Sequence, residues 1–153
     1  MNANDKLQLS GALGIVITGK DGVVKESKTV PNLVVNAGLA FITSRMTGTA
    51  KAVMSHMAVG AGTSAAAATD TDLGSLLGVR KALTSATISG ANNQAIVYVA
   101  TFAAGEGTGA ITEAGIFNAS SSGDMLCRTV FAVVNKAVDD TMQITWTITL
   151  SAS

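Results

Sequence analysis

The sequence has 153 residues, 48% of them hydrophobic and only 13% charged, with ten basic residues against ten acidic ones. That length suits one domain, which buries roughly 70% of the surface its unfolded chain exposes and so forms a core without staples. Charge at half the ~25% of an ordinary soluble domain, scattered singly, leaves no basic stripe to follow a phosphate backbone, and nucleic acid is not an expected partner.

In chain order, residues 1–9, MNANDKLQL, have a polar start and no pairing signal, and are expected to form an arm ahead of a single domain over 10–153. ALGIVITG (12–19) runs through Lys20-Asp21-Gly22 into VVKESKTV (23–30). The Asp-Gly pair signals a hairpin, because type I′ turns need positive φ. Pro31 ends the second strand, since it has no N–H for a central ladder. One short helix is expected from Asn36 as N-cap, with Leu39, Phe41, Ile42 and Met46 on its apolar side and Gly48 at its end. It is placed to plug one edge of the fold.

KAVMSHMAVG (51–60) reads as a strand, and 62–78 as a long connection holding one helical turn, of the kind where function often sits. QAIVYVATFA (94–103) sets Ile96, Tyr98, Ala100 and Phe102 on one face and Val97, Val99 and Thr101 on the other. Both faces are nearly apolar, so the strand is expected to be central. MLCRTVFAV (125–133) alternates less cleanly. At the C-terminus Met142, Ile144, Trp146, Ile148 and Leu150 alternate with Gln143, Thr145, Thr147, Thr149 and Ser151, the pattern of a half-buried antiparallel strand. Turn clusters at 89–93, 104–109, 119–124 and 135–140 punctuate the chain closely. Many short strands so spaced imply an all-β fold, an antiparallel β-sandwich of jelly-roll-like kind with one short α-helix.

Cys127 is the only cysteine, which rules out an internal disulfide framework and a cysteine-based zinc site; amid Met125, Leu126 and Val130 it reads as apolar filler. The sole histidine, His56, has no nucleophile or orienting acid beside it in sequence. Asp70 with Asp72, and Asp139 with Asp140, offer at most a weak calcium site, whereas turn aspartates usually bond their own backbone. VGAG (59–62) lacks the rest of a dinucleotide fingerprint and reads as a turn. No cofactor, metal or small-molecule substrate is expected. No basic segment followed by an apolar run opens the sequence, and apolar stretches break well short of the ~18–20 residues that span a bilayer, so no membrane partner is expected.

GAITEAGIFNA (109–119) is a strand with an acid at its centre. Alternation puts Ile111, Glu113, Gly115 and Phe117 on one face and Thr112, Ala114 and Ile116 on the other. A buried unpaired glutamate is costly, so Glu113 belongs at an edge, at a subunit boundary or against a base, with Arg80 or Arg128 the candidates. Gly115 makes room for that contact or for a bulge. The role is architectural.

Residues 50–151, through "AVGxG", a T-x-L followed by a basic residue (Thr71, Leu73, Arg80), ITEAGIFN and the closing ITWTIT, resemble a family of tailed-bacteriophage virion proteins. NLVVNAGLAFITSRM is similar to the segment that leads into it. In that group an acid often stands shortly before the basic residue; here the stretch is LLGVRK, without one. The family includes small capsid cement or decoration proteins and the attachment modules of tail fibres, neither with a catalytic constellation. The resemblance implies a non-enzymatic capsid cement protein, made in the host bacterial cytoplasm and carried on the virion surface. Its partners would be major capsid protein subunits and further copies of itself, and the arm and the 61–78 connection would reach neighbours. A tail-fibre or baseplate attachment module is the alternative. Zero net charge fits either, because a freely diffusing domain usually carries a net charge of about 2–8.

Overall fold

The alternating C-terminal residues form the longest continuous pairing of the fold. The computed structural model describes residues 5–152, and among these the elements are β1 (Leu7–Thr18), β2 (Val24–Pro31), β3 (Leu33–Val34), α1 (Asn36–Arg45), β4 (His56–Gly60), β5 (Lys81–Ala82), β6 (Ser85–Ser89), β7 (Ala95–Phe102), β8 (Gly109–Phe117), β9 (Met125–Lys136) and β10 (Thr141–Ala152). They make two five-stranded antiparallel sheets, ordered β2-β1-β10-β7-β6 and β3-β9-β8-β4-β5. The all-β sandwich is as the sequence implies. Its connectivity keeps the β1–β2, β6–β7 and β8–β9 hairpins each within one sheet, so likeness to an eight-stranded jelly roll of two Greek keys lies in the layering rather than the strand order.

Between the sheets, Leu13, Ile15 and Ile17 of β1, Tyr98, Ala100 and Phe102 of β7 and Met142, Ile144, Trp146 and Ile148 of β10 meet Met57, Val59, Ile111, Ala114, Ile116, Cys127 and Val134 from the other sheet. Trp146 is fully buried, and its indole N–H donates to Asn32 Oδ1 at 3.1 Å. Alternation therefore turns the threonines of β10 outward, onto a face that β1 and β7 extend with Gly14, Val16, Val97 and Val99.

Several local expectations are corrected. The N-terminal arm does not reach residue 9, because Leu7–Leu9 pair with Leu150–Ala152 in β1, and residues 1–4 lie outside the described residues. The Asp21-Gly22 hairpin forms, but only Gly22 has positive φ (81°). Its N–H bonds Gly19 O at 2.9 Å while the Gly19 N–H bonds Val23 O at 2.9 Å, which makes a three-residue loop rather than type I′, and a separate bulge at Lys25 lies opposite Ile17 and Thr18. Val35, not Asn36, caps α1 and gives no side-chain cap; the Asn36 N–H instead donates to Ala68 O at 2.8 Å. The helix ends at Arg45, before Gly48, and packs on β9 through Gly38, Phe41 and Ile42, leaving Leu39 and Met46 exposed. The strand expected over 51–60 is regular only from His56. The connection that follows contains a turn at 67–70 but no helical turn.

Candidate functional site

Glu113 sits where β8 changes register. Ile111 pairs with Val134 but Glu113 pairs with Val130, so β9 bulges by two residues opposite Thr112. The bulge breaks strict alternation. Ile111 joins Ala114 and Ile116 in the inter-sheet core, whereas Glu113 and Phe117 turn to the sheet's other side, correcting the expectation that Ile111 shares Glu113's face. There the 61–78 connection lies over them.

The Glu113 side chain is fully buried. Its Oε1 accepts the N–H groups of Ser75 at 2.7 Å and Gly62 at 2.9 Å. Its Oε2 accepts the Gly74 N–H at 2.9 Å and two donors of Arg128, Nε at 2.9 Å and Nη2 at 2.8 Å. Arg128, 3% exposed, also donates through Nη1 to Asp70 Oδ2 at 2.7 Å and through Nη2 to Ser64 O at 3.1 Å. Asp70 in turn accepts the Ala67 N–H at 2.9 Å, and Thr112 Oγ1 donates to Gly62 O at 2.8 Å. The connection is thus pinned at 62, 64, 70, 74 and 75 by two side chains of the sheet, assisted by Thr112. A Cβ on Gly60 or Gly62 would collide with the Glu113 carboxylate, which is why the glycines of VGAG stand where the chain passes.

Electrostatics follows from these contacts. Burial pushes the Glu113 carboxyl up, but the N–H groups of Gly74 and Ser75, the Arg128 guanidinium and the Gly62 N–H outweigh it and hold the carboxyl below its ordinary range. The Ala67 N–H holds Asp70 low against the opposing effect of burial, with Arg128 adding to it. Burial works against the Arg128 charge, yet Asp70 and Glu113 reverse that and raise it further. All three groups are ionised at neutral pH. A carboxylate with both oxygens occupied by five donors has no lone pair left to move a proton or to bind a cation.

Of the two candidate bases, the structure selects Arg128. Arg80 goes elsewhere: it donates to Asp72 Oδ1 at 3.2 Å and to the carbonyls of Ala119 and Ser122, with its guanidinium 3.6 Å from the centroid of the Phe117 ring. The acid missing just before Arg80 is supplied from eight residues upstream. Leu73 packs beside Phe117 over Gly115, where an added Cβ would come within 3.1 Å of the Leu73 side chain. Gly115 makes room for that leucine, not for the ion pair. Thr71 is exposed.

Of the remaining polar candidates, all but Asp70 lie apart from this cluster. His56 Nδ1 meets Ser55 Oγ at 2.8 Å at the start of β4, so a hydroxyl does stand beside the histidine, correcting the expectation that no nucleophile does. Cys127 is buried in the core, and burial pushes its thiol well above the ordinary value. Asp70 and Asp72 each face an arginine rather than each other, and Asp140 pairs with Lys25 at 2.8 Å while accepting the Ala137 N–H at 2.9 Å. Among the described residues no group of three or more His, Cys, Asp or Glu side chains converges as a metal site would. Sequence reasoning did not foresee Asp70 or the Ser64, Gly74 and Ser75 backbone as partners of the Glu113–Arg128 pair. Only the glycines at 60, 62 and 74 signalled a close approach.

No family model matches the sequence, and no curated protein or solved structure matches the chain at a significant level.

Proposed function

We propose that this protein is a non-enzymatic structural component of a tailed-phage virion, a capsid cement or decoration protein that binds across major capsid protein subunits. The observation that carries the reading is the use made of Glu113. This acid at the centre of β8, under the 61–78 connection, has both oxygens committed to holding that connection flat on the sheet. Such a module presents fixed surfaces rather than a reacting group. The motif resemblance supplies the particle on which such surfaces would act, and low charge suits a subunit covered by neighbours.

A ligand that binds only the assembled shell stabilises it by mass action, and many weak contacts summed over a lattice give a strong total. The 61–78 connection, held rigid, would then serve as a shaped contact surface on one sheet. The test is the copy number of this chain in purified virions of the phage that encodes it. A cement protein is present in hundreds of copies per particle, and loss of the chain lowers the particle's heat resistance. A dozen copies or fewer would assign it to the tail instead, and absence from the particle overturns the reading.

A further inference from the structure

We infer that two copies of this chain pair face to face through the outward side of the β2-β1-β10-β7-β6 sheet. This deepens the reading above, in which copies of the chain associate. The strand registers place Thr29, Gly14, Thr145, Val99 and Ser85 in one row straight across all five strands, at the middle of the sheet. The flanking rows run through Val16 and Gln143 on one side, and through Thr147 and then Thr149 on the other. Every outward position in these four rows is Ser, Thr, Val, Ala, Gly, Gln or Pro. No Asp, Glu, Lys or Arg stands among them, although the chain has twenty such residues.

Three features of that face fit a second copy. First, across a twofold axis each residue meets its own kind, so any charge near the axis would face a like charge at a cost of several kcal/mol. A face without charge avoids that penalty. Second, a threonine hydroxyl both donates and accepts, so identical hydroxyls satisfy one another across a symmetric contact without a complementary partner. Third, the area suffices: five strands about 4.8 Å apart and about eight residues of 3.4 Å rise give roughly 650 Å² per copy. Two such faces reach roughly 1,300 Å², within the range of specific interfaces. The other sheet offers no equivalent, because its outer face is already covered by the 61–78 connection. Lys20 and Asp21 at the β1–β2 turn and Asp139 at the β9–β10 turn stand at one end of the strands, where a polar rim belongs.

The test is the mass of the purified full chain in solution, by sedimentation equilibrium over micromolar to hundred-micromolar concentrations. The expected result is twice 15.3 kDa for the wild-type chain. Thr145→Arg, at an exposed site on the central strand, is expected to weaken association by about 100-fold or more through like-charge contact, while Thr145→Ser keeps it. Should Thr145→Arg fail to fold by circular dichroism, Gln143→Lys, also exposed, decides in its place. A wild-type mass of 15.3 kDa throughout overturns the pairing, as does an undiminished double mass in the charged variants. A monomer whose charged variants no longer bind the particle likewise overturns it, assigning the face to the shell. Because the measurement uses the chain alone, pairing can fail while copy number in virions still supports the cement reading, and the reverse.

Discussion

Replacing Glu113 by Gln keeps the shape of the side chain and removes its charge, so the change isolates what the carboxylate does. The amide can be placed in two ways, and both lose bonds. With the NH2 group at the Oε2 position, it meets the Gly74 N–H and the two Arg128 donors; at the Oε1 position, it meets the N–H groups of Gly62 and Ser75. Either way at least two donors are left unmatched in a site closed to water, and Arg128 keeps only Asp70 as counter-charge. Removing one partner of a buried ion pair costs about 3–5 kcal/mol, against a total stability of about 5–15 kcal/mol for a domain. At roughly 2–4 °C per kcal/mol for a chain of this size, the melting temperature should fall by about 6–20 °C. Thermal unfolding followed by circular dichroism measures this, and limited proteolysis should show new cleavage within 61–78. Arg128→Met should cost a similar amount, and the double variant much less than the sum, since the two side chains act as one unit. A melting temperature within 2 °C of wild type, with an unchanged digestion pattern, would refute the clasp; so would additive single and double variants.

Acid should loosen the same cluster. Because the folded-state carboxyls of Glu113 and Asp70 sit below their ordinary values of about 4.3 and 3.9, the stability they contribute is complete above those values. It is lost as pH falls through the lower folded-state values. The urea midpoint should therefore drop steeply below about pH 4, less so in Glu113→Gln, and a midpoint flat down to pH 2.5 would contradict the assignment. The helix and the turn after it offer a steric test: a Cβ on Gly38 would collide with the Leu126 carbonyl, whereas a Cβ on Gly48 would meet nothing within 4 Å. Gly38→Ala should destabilise by about 1–3 kcal/mol despite the better helix former, and Gly48→Ala should stabilise by about 0.4–1 kcal/mol. Denaturant titration distinguishes them, and shifts of the same sign would show that α1 does not rest on β9 as described.

The parts legible in the sequence are those where one periodicity runs uninterrupted. β7 and β10 alternate cleanly because each has one face on the core and one on the uncharged side, and their residues fall where period two puts them. β6 leaves no signal in the sequence, since SATIS is exposed along its whole length and its pairing to β7 leaves no hydrophobic alternation to read. The bulges opposite Thr112 and near Leu126 are equally silent, as a register change is a property of two strands and the sequence shows each strand alone. This is why period two assigns Ile111 to the wrong face and Glu113 to the right one. Arg128 could be named because it follows Glu113 by a single turn, and Arg80 could not be separated from it, since both choices satisfy the same rule that a buried acid needs a base. The α1 boundary slipped by one residue because Asn36, a good capping residue in isolation, has its backbone N–H drawn to Ala68 of the connection.

Why an ion pair should hold this connection, when a buried pair is seldom more stabilising than well-packed apolar side chains, follows from its composition. Residues 61–78, AGTSAAAATDTDLGSLLG, include only three large apolar side chains, Leu73, Leu76 and Leu77, and Leu76 stays 46% exposed. Leu73 and Leu77 pack at its C-terminal part, beside Phe117 and the inter-sheet core respectively. The N-terminal part, a run of alanines with Ser and Thr, has nothing large enough to anchor by burial. What it does have is backbone, and although the Leu77 N–H finds Val59 O of β4, the N–H groups of Gly62, Gly74 and Ser75 need other acceptors. A carboxylate rising from β8 supplies an acceptor for three of them at once, and the guanidinium beside it neutralises the charge while reaching the carbonyl of Ser64 and the side chain of Asp70. The pair therefore specifies one position for a segment too small to specify its own. An apolar substitute at 113, even one of equal volume, would leave these three N–H groups without partners, and for that reason a glutamate stands at the centre of an otherwise apolar strand.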